Sequence, residues 1–177
     1  MTEQLTPEKI VKSFKDEFRT KIKEARIEKH TTASKKNQLI HIWLNVDKSI
    51  FKKIVEHVIK LEKYPHLAVV SGYDMDKTIN LVYHFSIYHG ERAKEISLNI
   101  TVELPKSNPV IETITDLIPG ALITEQEKQE MLGIKVKGIP KDERVFIPND
   151  FPKGVYPWRK DETGPDKMAR NLHEVKK

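Results

Sequence analysis

From Ile79 to Leu104 the chain alternates apolar and polar residues with a period of two, and this pattern constrains the fold more than any other stretch. Leu81, Tyr83, Phe85 and Ile87 alternate with Val82, His84, Ser86 and Tyr88. Ile96, Leu98, Ile100 and Val102 then alternate with Ser97, Asn99, Thr101 and Glu103. Side chains of a strand point to opposite faces in turn, so both runs read as strands with one buried face, typical of an antiparallel sheet. A third run, Leu67 to Tyr73, precedes them. His89-Gly90-Glu91-Arg92 and Asp74-Met75-Asp76-Lys77 supply the turns. The three runs predict an antiparallel meander.

Helical periodicity surrounds the meander. Thr6 can cap, Pro7 suits the first helical position and Glu8 suits the positive end of the dipole. Ile10, Val11, Phe14, Phe18 and Ile22 then recur at helical spacing, predicting a helix over 7–23. Phe14 and Phe18 at this spacing read as core, not as a cofactor-facing pair. Ala25, Ile27 and the Thr31-Thr32 region suggest a weak strand, with Ser34-Lys35-Lys36-Asn37 as a polar turn and Leu39 to Val46 as a clear second strand. Asp47 can cap a helix carrying Ile50, Phe51, Ile54, Val55, Val58, Ile59 and Leu61, and Tyr64-Pro65 ends it. After Pro105, short helices are predicted over 110–117 and 124–132, the second with a Thr124/Glu127 capping box and a stop at Gly133. The fold class expected is α+β: a mainly antiparallel sheet with helices packed on one face, and a long irregular C-terminal tail.

That tail defines the expected division of the chain, with a core domain over 1–132 and an extended segment over 133–177. Gly138, Pro140, Pro148, Pro152, Gly154, Pro157, Gly164 and Pro165 interrupt every element there. The stretch exceeds an ordinary connection. It nevertheless carries Val136, Ile139, Val145, Phe146, Ile147, Phe151, Val155, Tyr156 and Trp158, residues that disordered tails lack. A long, apolar-bearing segment of this kind suits a chain that wraps a partner protein.

Motifs that carry chemistry are scarce along the same residues. The chain has no cysteine, which excludes disulfides, thiolate zinc sites and iron–sulfur clusters held by its own cysteines. The seven histidines form no HExxH pattern, and His84 and His89 have the odd spacing that puts them on opposite faces of a strand. No GxGxxG or P-loop pattern is present, and Ser71-Gly72 lacks the preceding glycine of a nucleophile elbow. Glu125, Glu127 and Glu130 could do paired-carboxylate chemistry with His84 or His89; acids early in a short helix more simply complement its dipole. The formal net charge of +5 reads as a lysine-rich surface. A basic RNA-binding domain would need clustered charge with interleaved aromatics, and Arg26, Lys29, Lys35 and Lys36 have none. No apolar run approaches a membrane span, and the first residues lack a signal peptide's basic and apolar regions.

Two separated motifs carry a family resemblance. One runs from Glu125-Gln126-Glu127 through Glu130-Met131-Leu132-Gly133-Ile134 to Gly138-Ile139-Pro140 and Arg144-Val145-Phe146; the other is Phe151-Pro152-Lys153-Gly154-Val155-Tyr156-Pro157-Trp158-Arg159-Lys160-Asp161. In order and spacing they resemble the C subunit (30 kDa subunit) of NADH:quinone oxidoreductase, respiratory complex I, and its counterparts in membrane-bound hydrogenase and sulfane sulfur reductase complexes. Gln126 stands where that family usually has Arg, Leu132 replaces an aromatic, Ile139 a His and Trp158 a Leu. These departures favour a hydrogenase-like or sulfur-reducing complex over complex I itself.

The resemblance implies a non-catalytic subunit with no cofactor of its own. It implies two partners, a hydrogenase-like large subunit and a small iron–sulfur subunit that hold the clusters. It also implies a place on the cytoplasmic side of the membrane, reached only through partners, in a complex that couples electron transfer to ion pumping. Residue chemistry then assigns Glu125, Glu127 and Glu130 to a basic partner surface. Arg144, Arg159 and Lys160 are expected to bond partner carboxylates or carbonyls, Tyr156 and Trp158 to act as apolar anchors, and Gly133, Pro157 and Asp161 to complete the interface.

Overall fold

The computed structural model describes residues 4–31, 38–90 and 94–168. The predicted turn at 34–37, the Lys35-Lys36 pair, Glu91-Arg92 and residues 169–177 lie outside them.

Helix α1 (Pro7–Phe18) starts as its sequence dictates: Thr6 Oγ1 accepts from Lys9 N at 3.3 Å and Pro7 takes the first position. It ends five residues earlier than the periodicity predicts, because Arg19 adopts φ 47°. A non-glycine residue there breaks the helical path. Ile22, which fits the apolar stripe, instead opens strand β1 (Ile22–Thr31) and pairs with Val46 of β2 (Gln38–Val46).

Asp47 accepts from Ser49 N at 2.8 Å and starts a short 3-10 turn leading into α2 (Phe51–Leu61). The meander follows as β3 (His66–Asp74), β4 (Thr78–Ile87) and β5 (Ile96–Pro105), each antiparallel to the next.

These five strands form one sheet in the order β1-β2-β5-β4-β3. The last strand in sequence therefore occupies the centre, parallel to β2 and antiparallel to β4. The fold is α+β, with one parallel pair in an otherwise antiparallel sheet.

Ile10, Phe14, Phe51, Ile54, Val55 and Val58 of the first two helices close over Ile42, Leu44, Leu81, Tyr83, Phe85, Leu98 and Ile100 of the sheet. His57, also turned inward, sits between the Phe14 and Phe18 rings; its Nε2 bonds Ser13 at 2.9 Å and its Nδ1 lies 2.6 Å from the Glu17 carboxylate. The acidic partner, Glu17, comes from α1.

The helix predicted over 110–117 is a strand at its start. β6 (Val110–Glu112) pairs in parallel with β7 (Lys135–Lys137), and Ile111 and Val136 are buried between the two strands' neighbours and the core. Helix α3 (Ala121–Leu132) starts three residues before the expected cap. Thr124 caps nothing, and its hydroxyl accepts from Val70 N at 3.2 Å, tying α3 to the outer edge of β3.

Candidate functional site: α3 and the segment that follows it

Gly133 ends α3 in the left-handed conformation, φ 67°, with its N–H on Gln129 O at 3.0 Å. The Tyr156 ring lies over it so closely that a Cβ would stand 2.4 Å from the ring. Glycine is needed here twice, for its backbone angle and for the missing side chain. From this point residues 134–164 return across α3 and the sheet edge.

The three acids of α3 have separate duties. Glu125 is 1% exposed. Its Oε2 accepts from Thr113 Oγ1 at 2.5 Å and its Oε1 from Ile114 N at 3.0 Å, holding the β6 exit against the helix. Burial pushes its carboxyl above the ordinary range, against the opposing pull of those hydrogen bonds. Glu130 is buried too. Its two oxygens collect three successive backbone donors, Val145 N at 2.6 Å, Phe146 N at 2.9 Å and Ile147 N at 2.8 Å. A carboxylate filling a row of N–H groups fixes that loop and leaves Val145 and Phe146 exposed. Glu127, half-buried, pairs with Lys128, whose Nζ lies 4.7 Å from the centre of the Trp158 ring.

Glu125 and Glu130 are therefore not the surface charges the sequence suggests. They lie inward because their bonding partners arrive from distant parts of the chain. Neither do the carboxylates form a site with His84. That side chain bonds Ser71 Oγ at 2.9 Å and Asn99 Oδ1 at 2.6 Å on the opposite, open face of the sheet, and His89 lies near His66. Close to His84 the open face holds a shallow cavity of about 270 Å3, lined by Trp43, Asn45, Tyr73, Asn80, Thr101 and Glu103. Among the described residues no group of three or more His, Cys, Asp or Glu side chains could hold a metal ion.

The second motif closes on itself and on the core. Trp158 N donates to Met131 O at 2.9 Å, and Tyr156 N to Thr163 O at 2.8 Å. Arg159 pairs with Asp161 at 2.9 Å, and Asp161 also accepts from Thr163 N at 3.0 Å. Lys106, just past β5, bridges Asp74 at 2.7 Å and Asp161 at 2.9 Å, while Asp74 accepts from Lys160 N at 2.7 Å.

Burial works to raise the Asp161 carboxyl, but the Thr163 hydrogen bonds and the Lys106 and Arg159 charges outweigh it and hold it far below the usual carboxylate range. Arg159 and Asp161, expected at a partner's surface, are thus engaged with each other. The Lys160 side chain and Trp158 stay exposed. Pro157 is half-buried between Tyr156 and Trp158. Arg144, exposed, donates to Pro148 O at 3.2 Å and Phe151 O at 3.3 Å of its own loop.

Three residues central to this arrangement carry no sequence signal. Asp74 reads as a turn residue, Lys106 as a surface lysine and Thr113 as part of a helix. Gln126, where the resembled family usually has Arg, is buried and donates to Lys141 O at 2.9 Å.

The raised Glu125 carboxyl has a measurable consequence. A carboxyl whose folded value lies above its unfolded one favours folding below the unfolded value, near pH 4.5, and loses that contribution as pH rises through the folded value. Glu125→Gln, which removes the titration, is expected to gain stability relative to wild type between pH 4 and pH 8. Thermal melts across that range should show the two curves converging or crossing; a constant gap would refute it.

Fold and site together define a class, an α+β chain whose characteristic residues build a folded C-terminal segment upon α3. A family described as "Respiratory-chain NADH dehydrogenase, 30 Kd subunit" matches residues 44–167, and the chain belongs to it. The chain is 32% identical over 131 residues to the beta subunit of the membrane-bound hydrogenase of Pyrococcus furiosus, covering 73% of this chain and 75% of the relative. It is 32% identical over 166 residues to the C subunit of the F(420)H(2) dehydrogenase of Methanosarcina mazei, covering 92% and 96%.

Among solved structures, a chain of the membrane-bound sulfane sulfur reductase, an archaeal respiratory membrane complex, matches with a TM-score of 0.70 at 18% identity, over 93% of this chain and 86% of that one. The trypsin-resistant fragment of Nqo5 matches with a TM-score of 0.56 at 21% identity, over 75% and 98%. These two likenesses show the fold. Relatives of this chain are subunits of complex I-related oxidoreductase complexes. Among the described residues no helix is long and apolar enough to cross a membrane.

Proposed function

We propose that this chain is a cofactor-free scaffold subunit of the cytoplasmic electron-transfer arm of a complex I-related, ion-pumping membrane oxidoreductase, of the hydrogenase-like or sulfur-reducing type. It performs no chemistry itself. Its partners are a hydrogenase-like large subunit and a small iron–sulfur subunit, which carry the clusters, and it reaches the membrane through them. The observation that carries this reading is the 32% identity to a membrane-bound hydrogenase subunit over most of both chains. The exposed Val145, Phe146 and Trp158 on the α3 side supply apolar surface for such a partner.

A second reading, in which the complex takes electrons from reduced F(420), is favoured by the nearly full-length match to the F(420)H(2) dehydrogenase subunit. A third, a subunit of an NADH:quinone oxidoreductase proper, follows from the family as a whole.

Purifying the tagged chain from gently solubilised membranes of its host decides among them. Stoichiometric recovery of a hydrogenase-like large subunit and an iron–sulfur subunit is expected. Hydrogenase or sulfur reductase activity in the eluate supports the first reading, and F(420)H(2) or NADH oxidation the others. Recovery of a lone monomer overturns all three.

A further inference from the structure

Residues 156–164 lie within the 133–177 tail that the sequence reads as wrapping a partner. The chain itself holds that segment at three places, two of which share Asp74. At α3, Trp158 N donates to Met131 O and the Tyr156 ring fills the space that Gly133 leaves open. At the β3–β4 end, Asp74, with a fully buried side chain, accepts from Lys160 N. Beyond β5, Lys106 reaches Asp74 and Asp161 together, so one ammonium joins a core carboxylate to a tail carboxylate.

Internal closure adds to these anchors. Tyr156 N meets Thr163 O, and Gly164 N meets Asp161 O at 2.8 Å. Gly164 has no room for a side chain, since a Cβ would stand 2.4 Å from Arg159 O.

We propose that residues 156–164 form a hook preassembled on the free chain, latched by the Asp74–Lys106–Asp161 bridge, and that the hook docks as a rigid element. What it docks onto rests on the scaffold reading above; the latch does not. Its chemistry suits this work. The bridge sets two carboxylates against Lys106 and Arg159, so the cluster is balanced in charge. Removing Lys106 would leave a buried Asp74 facing Asp161 with no cation between them. Removing Asp161 leaves the Lys106–Asp74 pair in place, but it releases Arg159 and Thr163 within the hook as well as Lys106. A segment ordered before binding avoids the entropy cost of folding upon its partner, which shows as tighter incorporation.

Limited trypsinolysis of the isolated full-length chain tests the latch, because Arg159 and Lys160 are cleavage sites inside the hook. In the wild type both are expected to be cut at least tenfold more slowly than in the urea-unfolded chain, with hydrogen exchange of 156–164 slowed in parallel. Asp161→Asn is expected to speed cleavage at both sites by about tenfold while protection of β4 and β5 is unchanged. Lys106→Met should also speed cleavage at both sites, and Asp161→Asn keeps the test valid should the unpaired Asp74 stop that variant from folding. In competition with wild type during complex assembly, Asp161→Asn should be incorporated several-fold less.

Cleavage of the wild-type hook at the unfolded rate, or Asp161→Asn cut as slowly as wild type, overturns the latch. A protected hook in a chain that captures no partner would leave the latch standing and sink the scaffold reading instead.

Discussion

Gly133→Val is expected to lower the melting temperature by roughly 10 °C and to expose the segment beyond α3 to protease. Two costs combine. A residue with a side chain in the left-handed conformation loses about 1–2 kcal/mol, and a β-branched one is poorly suited to it. The added carbon would meet the Tyr156 ring at 2.4 Å, and overpacking of this kind costs about 1–3 kcal/mol. Together they come to about 3 kcal/mol, which for a chain of this size shifts the melting point by roughly 2–4 °C per kcal/mol. Tyr156 can relieve the clash only by lifting away, which releases the hook. A thermal melt and a trypsin time course check both parts. A shift below about 2 °C with the tail still protected would refute the double role of the glycine.

Phe51→Ala is expected to be at least as costly, about 3–5 kcal/mol. Phe51 is the first residue of α2, 1% exposed, and its ring centre stands 4.4 Å from that of Tyr83 on β4, beside the central strand. Truncation removes a large apolar area and leaves a cavity that the sheet cannot collapse to fill, since Tyr83 is held by neighbours in two strands. A chemical denaturation series should show a lowered midpoint with an unchanged slope, and Phe51→Leu should recover most of the loss. A change in slope would place the effect in the denatured state instead.

What the sequence reveals depends on whether a residue's role is set locally. The β4 and β5 runs are legible because their alternation is written into consecutive residues, and α2 because its apolar stripe is. The acids of α3 are not. Glu125 and Glu130 look like helix charges facing water or a basic partner until Thr113, Ile114 and the 145–147 backbone arrive from elsewhere.

The same limit explains β6. Val110-Ile111-Glu112 is too short to show a period, and its strand conformation comes from pairing with β7. Thr124 misleads for a related reason: its hydroxyl serves a neighbouring strand edge, and the helix begins earlier at Ala121. The family motifs mark the stretch that folds back on α3. Their residue types alone cannot tell a charge that meets a partner from one that closes the chain upon itself, as Arg159 and Asp161 do.

The position of β5 bears on how the chain is made. A ribosome delivers β1–β2 and β3–β4 as two hairpins, each with one edge waiting for the strand that emerges last. Until residues 96–105 are out, the sheet has no centre, and those edges are open to pairing with another nascent chain. Folding is then a single late closure over a long sequence separation, slow for a chain of this size. Truncations that stop short of Pro105 should therefore aggregate rather than form a smaller stable domain.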